Sequence, residues 1–467
     1  MLNDRTDSPL YWPIAKLREA YLHRDLSPVE VAREALDRAE AFNPELNAYL
    51  EITRTLALDQ ATSAERAFRD GTAAPLAGIP VSIKDTFDIS GHVSTRGAAV
   101  YRDAVARADS GCVRRLRAAG AVFVGKTNTA EFGQSATTEN RLGGPCRNPW
   151  DTECTPGGSS GGASASVAAG TACLGLAADG GGSTRIPAAF TGLVGVKPTY
   201  DTCPDEGGFR AMSDFVCPGP VAWRVDDARQ MLSVLSDRAF ASSAVRRPLR
   251  IAWLPRLEMR PVDPQVAEAA RCAVEQLAAL GHAVEEADLD LAGWDAAFGP
   301  MVLEEEWRER GHLLARASEL TGYERRTLEL ASTLPAQAAA SAREDAEQFR
   351  QRVGGFFEQY DLIVTPSTAV PAFPIDARPR VIDGQPADWL WGAFPFSPAF
   401  NVAGVPALTL PCQLVRGMPV GIQLAAARGA DEFLLNVAEE LEAALGFEPA
   451  AVRSKWALLV PAGSRSA

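Results

Sequence analysis

The chain is poor in the residues from which much hydrolytic chemistry starts. Histidine occurs only at His23, His92, His282 and His312 in 467 residues. Lysine occurs only at Lys16, Lys84, Lys126, Lys197 and Lys455, so nearly all positive charge is arginine. The formal net charge is −13, which argues against a nucleic-acid or anionic-membrane surface, since both want clustered basic residues. No run of about 18 apolar residues exists, so no membrane span is expected. The N-terminal stretch has neither the basic start nor the apolar run of a signal peptide. Cysteines stand at 112, 146, 154, 173, 203, 217, 272 and 412. They form no Cys-x-x-Cys pair and match no zinc spacing. Scattered cysteines in a long chain read as reduced thiols and a cytoplasmic location.

What is present is the composition of a soluble globular protein, 46% apolar and 22% charged. Residues 27–41 open with a capping box, Ser27 with Pro28 and Glu30, before an apolar face of Val31, Ala32, Ala35, Leu36 and Ala39. From residue 76 short apolar runs (79–83, 121–127, 171–179) alternate with helical segments (110–120, 163–170). That alternation predicts an α/β fold around a mixed or parallel sheet, whose ligands collect on the loops at strand ends. Long helices are expected over 301–360, an irregular Pro, Phe and Trp-rich loop over 366–398, and two strands joined at Arg416-Gly417. No repeat or low-complexity tract divides the chain.

Two glycine clusters sit at strand–helix junctions, and each holds serine. The first, Gly157-Gly158-Ser159-Ser160-Gly161-Gly162, fits Gly-x-Ser-x-Gly, the nucleophile elbow of α/β-hydrolases. That reading needs a later histidine. His282 and His312 lie in segments that read as polar and helical, which favours surface histidines over bases. No lysine follows Gly162, as a phosphate-cradling loop would need, and neither cluster fits Gly-x-Gly-x-x-Gly. The second cluster is Asp179-Gly180-Gly181-Gly182-Ser183. Three glycines let successive N–H groups point into one space, the arrangement an acyl-transfer oxyanion requires. A serine closing that turn would stand beside those donors. With histidine scarce, Lys84 is the candidate base. It ends the apolar run "IPVSIK", and a desolvated lysine gives up its charge near neutral pH. A hydroxyl between lysine and nucleophile can pass the proton, since it both donates and accepts.

These residues resemble the amidase signature family. The resemblance rests on "GIPVSIKDTFDISG" (78–91), "PGGSSGGASASVAAG" (156–170), "LAADGGGSTRIPAAFTGLVGVKPTY" (176–200) and "FPFSPAFNVAGVPALTLP" (394–411). It covers essentially the whole chain, with 75 residues from Lys84 to Ser159 and 24 from Ser159 to Ser183. It implies one amidase domain over 1–467, built on a central mixed, twisted sheet with helices on both faces. Within it, 1–75 would be N-terminal helices and 76–240 the signature core. Residues 241–395 would shape the substrate pocket, and 396–467 would supply C-terminal strands and a helix. The resemblance implies a Ser-cis-Ser-Lys triad. Ser183 would be the nucleophile, Ser159 the bridging serine after a cis peptide, and Lys84 the base. Gly180, Gly181 and Gly182, with Ser183, would supply oxyanion N–H groups. Ser160, Asp179 and Arg185 would support the loops, and Gln134, Phe394 and Phe396 would touch substrate.

The expected reaction is hydrolysis of a carboxylic amide, above all an aryl amide or anilide, or of a carbamate, without metal or cofactor. The partner is a small-molecule amide, ester or carbamate, and the chain acts as a monomer or homodimer. Two alternatives stand. One is an amidotransferase A-type subunit that hydrolyses glutamine in a complex. The other is a histidine-dependent esterase using the Gly-x-Ser-x-Gly serine. The run "DTCPDE" (201–206) departs from the family pattern on what is expected to be the substrate side. Gly180 is unusual, and its missing side chain should loosen the turn or admit a bulkier acyl group.

Overall fold

The computed structural model describes residues 8–457. Its strands in chain order are β1 (Tyr49–Ile52), β2 (Pro80–Lys84), β3 (Val122–Thr127), β4 (Leu174–Asp179), β5 (Val194–Lys197) and β6 (Cys217–Ala222). There follow β7 (Arg250–Trp253), β8 (Ala283–Glu286), β9 (Leu362–Pro366), β10 (Val381–Ile382), β11 (Gln385–Pro386), β12 (Ala407–Val415) and β13 (Met418–Ala425). Eleven of them form one sheet in the order β1-β3-β2-β4-β6-β5-β12-β13-β9-β7-β8, while β10 and β11 pair separately. The sheet is mixed. Parallel pairing links β3, β2 and β4 at one end and β9, β7 and β8 at the other. Between these blocks the pairings are antiparallel.

Local sequence explains the elements that frame the site. The Ser27 hydroxyl accepts the Val29 N–H at 3.0 Å, and the Glu30 carboxylate accepts the Ser27 N–H at 2.8 Å. This box starts the helix Pro28–Leu46, whose predicted apolar face is fully buried. In β2 every residue is buried. Burying Val81 and Ile83 there contributes about 1.5–3 kcal/mol each. The β12–β13 turn falls at Arg416 and Gly417, both with positive φ, as a tight hairpin requires. Helices flank the sheet, and the apolar core they share with it runs from Leu10 to Trp456.

This topology assembles the two glycine clusters. β2 and β4 are parallel neighbours, so both run toward the same edge. Lys84 is the last residue of β2 and Asp179 the last of β4. The first cluster leads into the helix Gly161–Ala168, and the second leads into Arg185–Thr191. One backbone bond ties them, from Ser160 N to the Ser183 carbonyl at 3.2 Å.

One of the two downstream histidines stands otherwise than expected. His282 is neither helical nor superficial. It follows the helix Pro264–Ala279, is 9% exposed, and its Nδ1 accepts the Leu249 N–H at 3.3 Å beside the edge strand β8. That bond uses up one ring nitrogen at the far end of the sheet from β2 and β4. The helical reading failed because Gly281 takes a positive φ and ends the segment.

Candidate active site

Lys84 is the centre of the site. It is 2% exposed, and its Nζ donates to Ser159 Oγ at 2.7 Å and to the Ala178 carbonyl at 3.4 Å. No carboxylate forms a salt bridge with it among the described residues. Burial pushes its pKa down to about 7, with the more distant Asp179 charge opposing. Desolvation penalises the ammonium and leaves an amine able to accept a proton.

Ser159 follows a cis Gly158–Ser159 peptide. Its carbonyl accepts from Ala130 N at 3.3 Å and Thr138 Oγ1 at 3.3 Å, which fixes the chain on both sides. Glycine at 158 is obligatory. A Cβ there would stand 2.6–2.8 Å from the Thr137 backbone. The Ser160 hydroxyl donates to the Ala178 carbonyl at 3.2 Å, which ties the first cluster to the end of β4.

Ser183 is 8% exposed. Among the described residues its hydroxyl makes no hydrogen bond, and the N–H groups of Gly180, Gly181 and Ser183 have no acceptor. Gly182 differs. Its φ is 121°, which glycine alone adopts without strain, and its N–H donates to Asp179 Oδ1 at 2.7 Å. Gly182 is therefore not a free oxyanion donor, and that expectation is corrected.

Asp179 and Arg185 explain why the turn holds its shape. Both are fully buried and form a bidentate pair, with Nε to Oδ2 and Nη2 to Oδ1 at 2.9 Å each. Asn401 Nδ2 adds a donor to Oδ1 at 2.9 Å. Burial alone would push the Asp179 carboxyl up. The Arg185 charge and hydrogen bonds, with Asn401, outweigh it and hold the group well below the usual carboxylate range. A bidentate guanidinium–carboxylate pair is rigid, so the N–H groups of the turn are aimed before substrate arrives.

A cavity opens beside Lys84, Ser159 and Gly180, walled by Phe87, Phe132, Phe209, Met212, Val216 and Pro218. Asp205 of the divergent 201–206 run also lines it. Three expected substrate contacts lie elsewhere. Phe394 and Phe396 are fully buried, and Phe394 packs on Phe190 and Phe373 with centroids 5.9 and 6.1 Å apart. The Gln134 Nε2 donates to Glu306 instead of facing substrate. The place a side chain at 180 would take is filled by Met212, whose Sδ would stand 2.7 Å from a Cβ there. Above Gly181 the rings of Trp391 and Phe298 take the corresponding place, at 3.1 and 3.3 Å. The aromatic signal in the sequence pointed to other rings than those that wall the cavity. Phe132, Phe209 and Met212 carry no local motif that would have singled them out.

A family model described as Amidase matches residues 30–435. The A-type subunit of the glutamyl-tRNA(Gln) amidotransferase of Symbiobacterium thermophilum is 33% identical, over 91% of this chain and 95% of that protein. An acylamidase of Rhodococcus erythropolis is 32% identical, over 94% of this chain and 96% of its own. The crystal structure of a bacterial aryl acylamidase of the amidase signature enzymes superposes with a TM-score of 0.87 at 25% identity, covering 98% of this chain and 99% of that one.

Proposed function

The chain belongs to the amidase family, and from that premise we propose that it hydrolyses carboxylic amides through a seryl acyl-enzyme. In this reading Ser183 is the nucleophile, Ser159 the proton bridge and Lys84 the base. The observation that carries it is the 2.7 Å contact between a buried Lys84 Nζ and Ser159 Oγ, with no carboxylate in salt-bridge contact with the lysine among the described residues.

The neutral Lys84 amine accepts the Ser159 hydroxyl proton. Ser159 Oγ takes the proton of Ser183 Oγ, whose hydroxyl must turn from its present unbonded position toward Ser159. The Ser183 oxygen then bonds to the amide carbon, and the carbonyl π electrons move onto oxygen. The N–H groups of Gly180, Gly181 and Ser183 receive that oxyanion. The proton held by Lys84 returns through Ser159 to the leaving nitrogen, the C–N bond breaks, and the amine departs. Water then attacks the ester by the same relay in reverse and frees Ser183.

The preferred substrates in this reading are aryl amides. The phenyl walls of the cavity and the acylamidase relatives support that choice. Carbamates and esters present the same carbonyl and are the next class to try. A panel of p-nitroanilides, simple amides and carbamates should show anilide cleavage that Ser183→Ala abolishes. Cleavage undiminished in Ser183→Ala would overturn the proposal.

The amidotransferase relatives favour a second reading, glutamine hydrolysis within a complex. Robust ammonia release from glutamine, with no anilide cleaved, would select it.

A further inference from the structure

Behind the aromatic wall lies a cluster of acids that the proposed hydrolysis does not use. The helix Trp294–Arg310 contributes Glu306 and Arg310, and the helix Gly322–Ser332 contributes Glu324. Glu306 and Glu324 are fully buried, and Arg310 is 3% exposed. Arg310 pairs through Nε and Nη2 with Glu306. That guanidinium is spent on Glu306, and among the described residues no ion pair reaches Glu324. As an ionised acceptor Glu324 has no donor at either oxygen among the described residues. Two buried carboxylates with one cation leave an uncompensated charge, which is far costlier than a neutral acid. A proton between Glu324 and Glu306 supplies the missing donor. Burial first, then the Glu306 charge, pushes the Glu324 carboxyl well above the usual range. Further titratable groups around the cluster are Glu131, Glu305, Tyr323, Arg141, Arg210, Arg308 and Arg378.

The cluster grips one turn of the site at three points. Thr321 donates from N and Oγ1 to Glu131 at 2.7 and 2.6 Å. Gln134 donates to Glu306. The Arg310 guanidinium lies 5.3 Å from the Phe132 ring and 5.0 Å from the Phe209 ring, both of which wall the cavity. Between these points lies Gly133, where a Cβ would stand 3.5 Å from Ser159 Oγ. The acids therefore set the distance between the aromatic wall and the Lys84–Ser159 pair.

We propose that Glu324 is a positioning residue. Held as a neutral acid against Glu306, it keeps the Glu306–Arg310 pair in place, and that pair holds the Phe132 and Phe209 rings where substrate binds. Alkaline pH removes the proton, loosens the wall and weakens binding while leaving the relay intact. The kinetic consequence rests on the amide-hydrolase reading; the structural one does not.

The test compares wild type with Glu324→Gln, which is neutral at every pH. KM and kcat are measured with an acyl p-nitroanilide from about pH 6 to about pH 9.5, together with the thermal unfolding midpoint. Wild-type KM should climb severalfold at the alkaline end while kcat stays on its plateau, and Glu324→Gln should keep a flat KM. A carboxyl raised in the folded state loses its stabilising contribution as pH rises through the folded value. The wild-type midpoint should therefore fall relative to Glu324→Gln as pH rises. Parallel KM and midpoint profiles in the two proteins would overturn the proposal. If Glu324→Gln does not fold, Arg310→Lys, which keeps the charge but loses the planar group over the rings, should raise KM severalfold with kcat retained. An unchanged KM there would overturn the proposal equally. If wild type cleaves no anilide, the hydrolase reading fails by itself, and the midpoint comparison alone decides the role of Glu324.

Discussion

Two lysines stand near the same edge on neighbouring strands, and both are buried, yet the protein treats them oppositely. Lys126 on β3 stands in register with Ile83, one residue from Lys84 on β2. Lys126 Nζ meets the Asp85 carboxylate at 2.6 Å and Ser94 Oγ at 2.8 Å. Among the described residues Lys84 meets only a serine hydroxyl and a carbonyl. Asp85 directly follows Lys84 in sequence but turns away from it, toward Lys126 and Thr95. The difference teaches that burial alone does not make a base. Burial with a carboxylate partner makes a structural ion pair, while burial with a hydroxyl partner leaves a proton acceptor.

The largest expected effect separates the two lysines by activity. Lys84→Ala should lower kcat by about 10²–10⁴-fold, the usual worth of a general base, without lowering the unfolding midpoint, since no ion pair is broken. Equal loss of activity and stability would erase the distinction. Lys126→Ala should do the reverse. It leaves Asp85 buried without its cation, at a cost of about 3–5 kcal/mol, read by denaturant unfolding, while protein that remains folded stays active.

The pH profile is the next contrast. Since Lys84 must be neutral to accept a proton and its pKa is pushed down to about 7, kcat/KM should fall as pH drops below about 7. The slope there should approach tenfold per unit, because a single deprotonation controls the step. A profile flat down to pH 5 would place the base elsewhere. The smallest effect concerns the opposite wall. Gly180→Ala should cost about 1–3 kcal/mol by overpacking against Met212, and Met212→Ala should recover most of that loss.

The fold was largely legible because its signals are local. The capping box at Ser27, the buried runs that became β2, β3 and β4, and the Arg416-Gly417 turn each carry their reason within a few residues. Lys84 stood out because a lysine ending an apolar strand is anomalous, and the glycines stood out because little else justifies them. What stayed hidden depends on contacts distant in sequence. The Gly182 N–H looked free until the Asp179 side chain curled back to take it. Phe394 and Phe396 sit in an irregular loop, where no periodicity tells the inward face from the outward one. Gln134 is claimed by Glu306, 172 positions away, and Met212 reaches Gly180 across a long excursion of the chain. The helix Ala450–Ala457 lies beyond the expected closing helix, and it docks through Trp456, whose ring lies 5.0 Å from Phe42.

The central claim is that a lysine primes Ser183 through a second serine. It is tested most directly by mapping where an alkyl fluorophosphonate attaches, using peptide mass spectrometry on wild type and Lys84→Ala across pH. Labelling should fall on Ser183, accelerate as pH rises through about 7, and nearly vanish in Lys84→Ala. Labelling at Ser159 or Ser160, or labelling of Ser183 that is equally fast without Lys84, would contradict it.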